Sequence, residues 1–116
     1  MNRVQVTVVI PNYNGKECIS ACLDSVLEGT VLPEIIVVDN GSSDGSPEMI
    51  RKKYPQVRLV RLGANTGFCH AVNTGIHACR TEFVFLLNDD TVVERAVLKN
   101  CWMRSFLPKG CFPCRR

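Results

Sequence analysis

The sequence predicts an α/β protein, a three-layer α/β/α arrangement around a mostly parallel sheet, and three observations predict it. Val4 to Ile10, Ile35 to Val38 and Phe83 to Leu87 are nearly continuous apolar runs, the pattern of strands covered on both faces. Between them lie stretches whose apolar residues recur at helical spacing. Each run also stops at a polar cluster, and in open α/β sheets ligands bind outside the carboxyl ends of the strands.

The first strand, Val4 to Ile10, is rich in β-branched residues and ends at Pro11-Asn-Tyr-Asn-Gly15. Asn14 followed by Glu17 has capping-box spacing, so a helix should start there, with Ile19, Leu23, Val26 and Leu27 as its apolar face and Gly29 as its close. Pro33 precedes the second strand, which ends at Asp39. Asn40-Gly-Ser-Ser-Asp-Gly45 is a run of turn formers, and Ser46-Pro47 supplies an N-cap and first-turn proline for a short helix to about Tyr54. Val57 to Leu62 is a more amphipathic third strand, suited to a sheet edge.

After the loop Gly63-Ala-Asn-Thr-Gly67, the residues Phe68, Ala71, Val72, Gly75, Ile76 and Cys79 mark an apolar helical stripe. Gly75 inside it implies a close packing contact or an early helix end. Phe83 to Leu87 is the fourth strand and runs straight into Asn88, Asp89 and Asp90. Thr91-Val-Val-Glu94 has the spacing to start a last helix through about Met103, or to continue as strand. From Arg104 on, Pro108, Gly110 and Pro113 break any periodicity, leaving 104–116 as an irregular tail.

At 116 residues, with 46% hydrophobic and 22% charged content, the chain suits one globular domain. Its net charge of +3 comes from scattered Lys and Arg with no basic stripe, which argues against a polynucleotide partner. No apolar run approaches the roughly 18 to 20 residues of a membrane span, and Met1-Asn2-Arg3 begins no signal-peptide pattern, so the expected compartment is the cytoplasm, at most peripheral to the inner membrane face. The 7 cysteines are odd in number and irregular in spacing, so no disulfide framework is implied. Cys18, Cys22, Cys69 and Cys79 fall in predicted helices and read as packing residues. Cys111-Phe-Pro-Cys114, with Cys101, raises a zinc or redox site, weakened by the lack of a second C-x-x-C and of a His after Cys101.

The strand ends bring Asn12, Tyr13 and Asn14, then Asp39 and Asn40, then Asn88 to Asp90 to one rim. A dinucleotide-binding domain would need G-x-G-x-x-G where this chain has Pro11 to Gly15, and no P-loop is present. A pyrophosphate without a glycine cradle needs another counter-charge, which a divalent cation on Asp90 or Asp89 can supply.

Val8-Val-Ile-Pro-Asn-Tyr-Asn14, Ile36-Val-Val-Asp-Asn-Gly-Ser-Ser-Asp-Gly45, Asn65-Thr-Gly-Phe68 with Asn73-Thr-Gly75, and Leu86-Leu-Asn-Asp-Asp-Thr91 together resemble the inverting family 2 glycosyltransferases of the GT-A fold, in their rhamnosyltransferase-like branch. The resemblance covers about residues 4 to 98. It implies a nucleotide-sugar site formed by Pro11, Asn12, Tyr13, Asn14, Asp39, Asn40, Asn65, Gly67, Asn88, Asp89 and Asp90. Tyr13 would stack on a uracil or thymine ring, Asp39 would accept from the base, Asn88 would meet the ribose, and Asp90 would bind Mg²⁺ or Mn²⁺ on the diphosphate. Asn65 and Asn73 read as loop and helix-packing polar groups ahead of direct ligands. The implied donor is a UDP- or dTDP-sugar and the implied acceptor a glycan or lipid-linked hydroxyl.

The family's second half, with its acceptor pocket and carboxylate general base, finds no counterpart after residue 98. The sequence therefore reads as a donor-binding half, 1–103, truncated or altered beyond it. Its fourth strand would keep an exposed edge open to self-association. The alternatives are a catalytically silent nucleotide-binding or interaction fragment and, ranked last, a nucleotidyltransferase of related architecture.

Overall fold

The computed structural model describes residues 3–29, 32–93 and 114–115. Along the chain run β1 (Arg3–Asn12), α1 (Lys16–Leu27), β2 (Leu32–Asp39), α2 (Ser46–Lys53), β3 (Arg58–Arg61), α3 (Phe68–Ala78), β4 (Phe83–Leu86) and β5 (Cys114–Arg115). The sheet order is β3-β2-β1-β4-β5. β1 to β4 are mutually parallel, and β5 joins β4 antiparallel. No described helix is long and apolar enough to cross a membrane.

Strand alternation sorts the core into two layers. Val8, Ile10, Ile35 and Val37 pack with Ile19, Leu23, Val26 of α1 and Ile50 of α2. Val9, Ile36, Val38 and Val84 pack on the other face with Ala71 of α3 and Cys79. Each such Val, Leu or Ile contributes about 1.5–3 kcal/mol on burial, so the central strands hold the sheet together. Gly75 explains itself here. A Cβ on it would fall on Val9 and lie 3.1 Å from Val38 Cγ2, so α3 sits flush on β1 and β2 because this position carries no side chain. β3 ends the sheet, as its amphipathic sequence suggested.

Several local expectations are corrected. Asn14 does not cap α1: it holds φ 52°, the N-cap is Gly15, and the Asn14 carboxamide accepts the Ser43 amide at 2.8 Å instead. Ser46 is the first residue of α2 rather than its cap, which is Gly45 at φ 84°. Both helices share one carboxylate, local to α2 and 28 residues from α1. Asp44 Oδ2 accepts the Lys16 amide at 2.9 Å and Oδ1 the Ser46 amide at 3.0 Å.

β4 is not covered on both faces throughout, since Phe83 and Phe85 are half-buried and Leu86 is 39% exposed. The reason is reach: the core layer under α3 includes Val84 but not Leu86. The edge of β4 is not wholly open either. Cys114 and Arg115, from the tail expected to be irregular, pair with Val84 and Phe83. Cys69 is exposed and Cys18 half-buried, so of these four described cysteines Cys22 and Cys79 pack as core thiols. Thr91 to Val93 are not helical, and the rest of the expected last helix, the boundary at 103/104, Cys101 and Cys111 lie outside the described residues.

Candidate functional site

The register of the parallel strands builds the rim. Asn12 lies level with Asp39, and Asp39 level with Arg61, so the polar strand ends emerge together. Asn12 is buried with its Nδ2 donating to Asp39 Oδ1 at 2.9 Å, to Ser46 Oγ at 2.9 Å and more weakly to Ser42 Oγ at 3.3 Å. Asp39 Oδ2 accepts the Ser42 amide at 3.0 Å. Asp39 is therefore a buried brace between β1 and the 40–45 loop, with a hydrogen bond on each carboxylate oxygen. Ser42 Oγ in turn accepts the Asn14 amide at 2.8 Å, locking the first turn to the second.

Asn40, the next residue, serves the opposite side. Its Nδ2 donates to Asn65 Oδ1 at 3.0 Å and to the Gly67 carbonyl at 3.2 Å, while its Oδ1 accepts the Thr66 amide at 2.9 Å. Asn65 Oδ1 also accepts the Gly67 amide at 3.1 Å. Gly41, at φ 85°, lets the two loops touch, because a Cβ there would come within 2.6 Å of the Ala64 backbone. One buried carboxamide thus fixes the whole approach to α3.

These loops enclose an open cavity of roughly 340 Å³ lined by Pro11, Asn12, Tyr13, Asn40, Asn65, Phe68, Asn88, Asp89 and Asp90. Of the residues expected at the site, Asn14, Asp39 and Gly67 do not line it. Asn14 and Gly67 face solvent in the flanking loops, and Asp39 lies behind the lining. Phe68 is the addition: expected in the apolar stripe of α3, it is 59% exposed and forms part of the wall, as Tyr13 does at 50%.

The acidic end of the cavity has its own electrostatics. Burial pushes the Asp89 carboxyl above its ordinary range and the neighbouring Asp90 charge adds to this, while the Tyr13 backbone N–H that Asp89 accepts pulls partly back. Gly15 abuts this carboxylate, since a Cβ there would fall on Asp89 Oδ2 and Asn12 Oδ1. Asn12 Oδ1 is buried without a hydrogen-bond partner among the described residues, an unmet acceptor at the floor of the site. Behind it, burial and the Asp89 charge push the Cys22 thiol up to about 12, and its Sγ donates to the Asn88 carbonyl at 3.5 Å. Cys22 is therefore a packing group and no nucleophile.

Among the described residues no group of His, Cys, Asp and Glu forms a closed metal cage. Asp89 and Asp90 on one turn do fit a hard cation that takes only one or two protein carboxylates and completes its shell with phosphate oxygens and water.

Residues 7–104 match the family model described as Glycosyl transferase family 2. The uncharacterized glycosyltransferase EpsJ of Bacillus subtilis (strain 168) is 34% identical over 98 residues, covering 81% of this chain and 28% of that protein. The hyaluronan synthase of Pasteurella multocida is 31% identical over 119 residues, covering 98% of this chain and 12% of the synthase. Among solved structures, the mannosyltransferase PcManGT from Pyrobaculum calidifontis, in complex with GDP-Man and Mn²⁺, has a TM-score of 0.79 at 30% identity over 90% of this chain and 33% of its own. TarS of S. aureus in complex with UDP shares the fold, with a TM-score of 0.77 at 23% identity over 84% of this chain and 31% of its own. The chain spans a third or less of each of these proteins.

Proposed function

The chain belongs to glycosyl transferase family 2, and from that premise we propose that its cavity binds a nucleoside-diphosphate sugar through a divalent cation, as the donor site of an inverting transfer to an acceptor hydroxyl. The observation that carries this reading is that one cavity is lined by the aromatic Tyr13 and by Asn88, Asp89 and Asp90. Tyr13 offers a face for a UDP or dTDP base. Asn88 stands where a ribose would follow. Asp90, exposed at the cavity, and Asp89 beside it would hold Mg²⁺ or Mn²⁺ against the diphosphate. The cation, when bound, would offset charge on the departing diphosphate.

The remaining residues act as scaffold. Asn12 and Asp39 hold the first two turns in register, and Asn40 holds the loop carrying Asn65. Asp39, expected to read the base directly, is proposed to act through the loop it orders, since both its oxygens are already engaged inside the protein. The mannose donor of PcManGT and the UDP of TarS support a nucleotide-sugar ligand. A glycan or lipid-linked acceptor is the proposed partner, in keeping with relatives named as polysaccharide synthases.

Calorimetric titration of UDP, dTDP and GDP with Mn²⁺ and with EDTA tests the reading. We expect binding that depends on Mn²⁺, and Asp90→Asn should remove that dependence. Equal, negligible binding in every arm would sink the donor site. Nucleotide binding without transfer is the second reading. It is favoured because, among the described residues, the carboxylates lining the cavity sit on the single turn 89–90, with no other there to take the acceptor's proton.

A further inference from the structure

We infer that Phe68 supplies a second aromatic platform for the nucleotide base, across the cavity from the acidic turn. The inference deepens the donor-site reading and rests on it. The large apolar side chains exposed among the described residues are Tyr13, Phe68, Leu86 and Val92, and two of these line the same cavity. Exposing a Phe forfeits the burial that its place at the start of an apolar helix face would otherwise give.

Phe68 is also firmly placed. It is the first residue of α3, directly after Gly67 at φ 96°, and Gly67, Thr66 and Asn65 are all hydrogen-bonded to the buried Asn40. Flush packing of α3 at Gly75 fixes the helix behind it. With the backbone that carries it held in this way, little further backbone entropy is lost when a flat ligand settles on the ring.

Sheet order decides which part of the ligand it meets. In β3-β2-β1-β4 the end of β2, with Asn40 and its attached loop, lies on one side of β1, and the Asn88 to Asp90 turn lies on the other. A nucleoside diphosphate has its charge at one end and its π face at the other. With the diphosphate at Asp89 and Asp90, and Tyr13 at the end of β1 between the flanks, the base falls toward Phe68.

The test compares UDP with pyrophosphate, each with Mn²⁺, on the full chain. Phe68→Ala and Phe68→Leu should weaken UDP by about five-fold to a hundred-fold, the range of losing one base–aromatic stack, while pyrophosphate binding stays unchanged. Phe68→Tyr should retain wild-type affinity, and the upfield shift of the uracil H6 proton on binding should shrink in the Leu variant. UDP affinity unchanged in Phe68→Leu, or equal losses for UDP and pyrophosphate, would overturn the inference. So would a loss confined to UDP-sugar, which would assign Phe68 to the sugar. If wild-type chain binds neither UDP nor pyrophosphate, the donor-site reading falls first and takes the inference with it. If it binds pyrophosphate alone, only the base platform falls.

Discussion

Replacing Asp44 should loosen two helices at once, because its carboxylate accepts the first amide of α1 and the first amide of α2. Neither helix has a side-chain hydrogen bond from its own N-cap residue, which is glycine in both cases. Loss of a capping acceptor typically costs about 0.5–2 kcal/mol, and this carboxylate is partly solvated, so the low part of the range applies to each helix. Asp44→Ala should therefore cost about 1–2 kcal/mol in all, lowering Tm by roughly 4–8 °C for a chain of this size. Asp44→Asn keeps one acceptor oxygen and should fall about midway.

The pH dependence supplies an independent check. Burial pushes the Asp44 carboxyl up, but its hydrogen bonds with Ser46 and Lys16 outweigh this and hold it below its ordinary value of 3.8. A carboxyl with a depressed folded pKa stabilises the protein above its unfolded value, and that contribution is lost as the pH falls through the folded one. The Tm gap between wild type and Asp44→Asn should thus stay constant near neutrality and close below pH 3.8. Thermal melts followed by circular dichroism across that range decide it. A wild-type Tm in Asp44→Ala, or a gap that persists in acid, would refute the shared-cap argument.

Further expectations follow from packing. Gly75→Ala gains about 1 kcal/mol of helix propensity but forces a methyl onto Val9, at about 1–3 kcal/mol of overpacking, so Tm should fall, and a rise would contradict the flush contact. Brief alkylation with iodoacetamide at pH 8, read by mass spectrometry, should label exposed Cys69 and spare Cys22. With the Cys22 thiol at about 12, its thiolate fraction there is about one in ten thousand, and early labelling of Cys22 would show that the α1 face opens readily.

The sheet and most of the rim were legible in the sequence because they depend on local signals: apolar runs for the strands, turn formers at their ends. Tyr13, Asn88, Asp89 and Asp90 meet in the structure as expected because parallel strands in register put their ends together. Phe68 was not legible as a wall residue. Periodicity cannot separate a helix's first residue from its core face, although that side chain leans back over the preceding loop. An aromatic directly after Gly67 was the available signal. Nor was the capping of α1, since the partner lies 28 residues away and no local pattern encodes it. The partners of Asp39 were not legible either: its side chain shares a face with Val37, toward α2, where Asn12 and Ser42 bond to it.

That same alternation gives the dipeptide Asp39-Asn40 an unusual responsibility. Consecutive strand residues point to opposite faces, so a single peptide unit anchors the first turn through one side chain and the approach to α3 through the other. Sliding β2 by one position against β1 would hand each loop the wrong partner while also turning its valines inside out. Chemistry at the mouth and oil in the interior therefore enforce a common alignment, and a sequence drifting at either place would be held to it by the other.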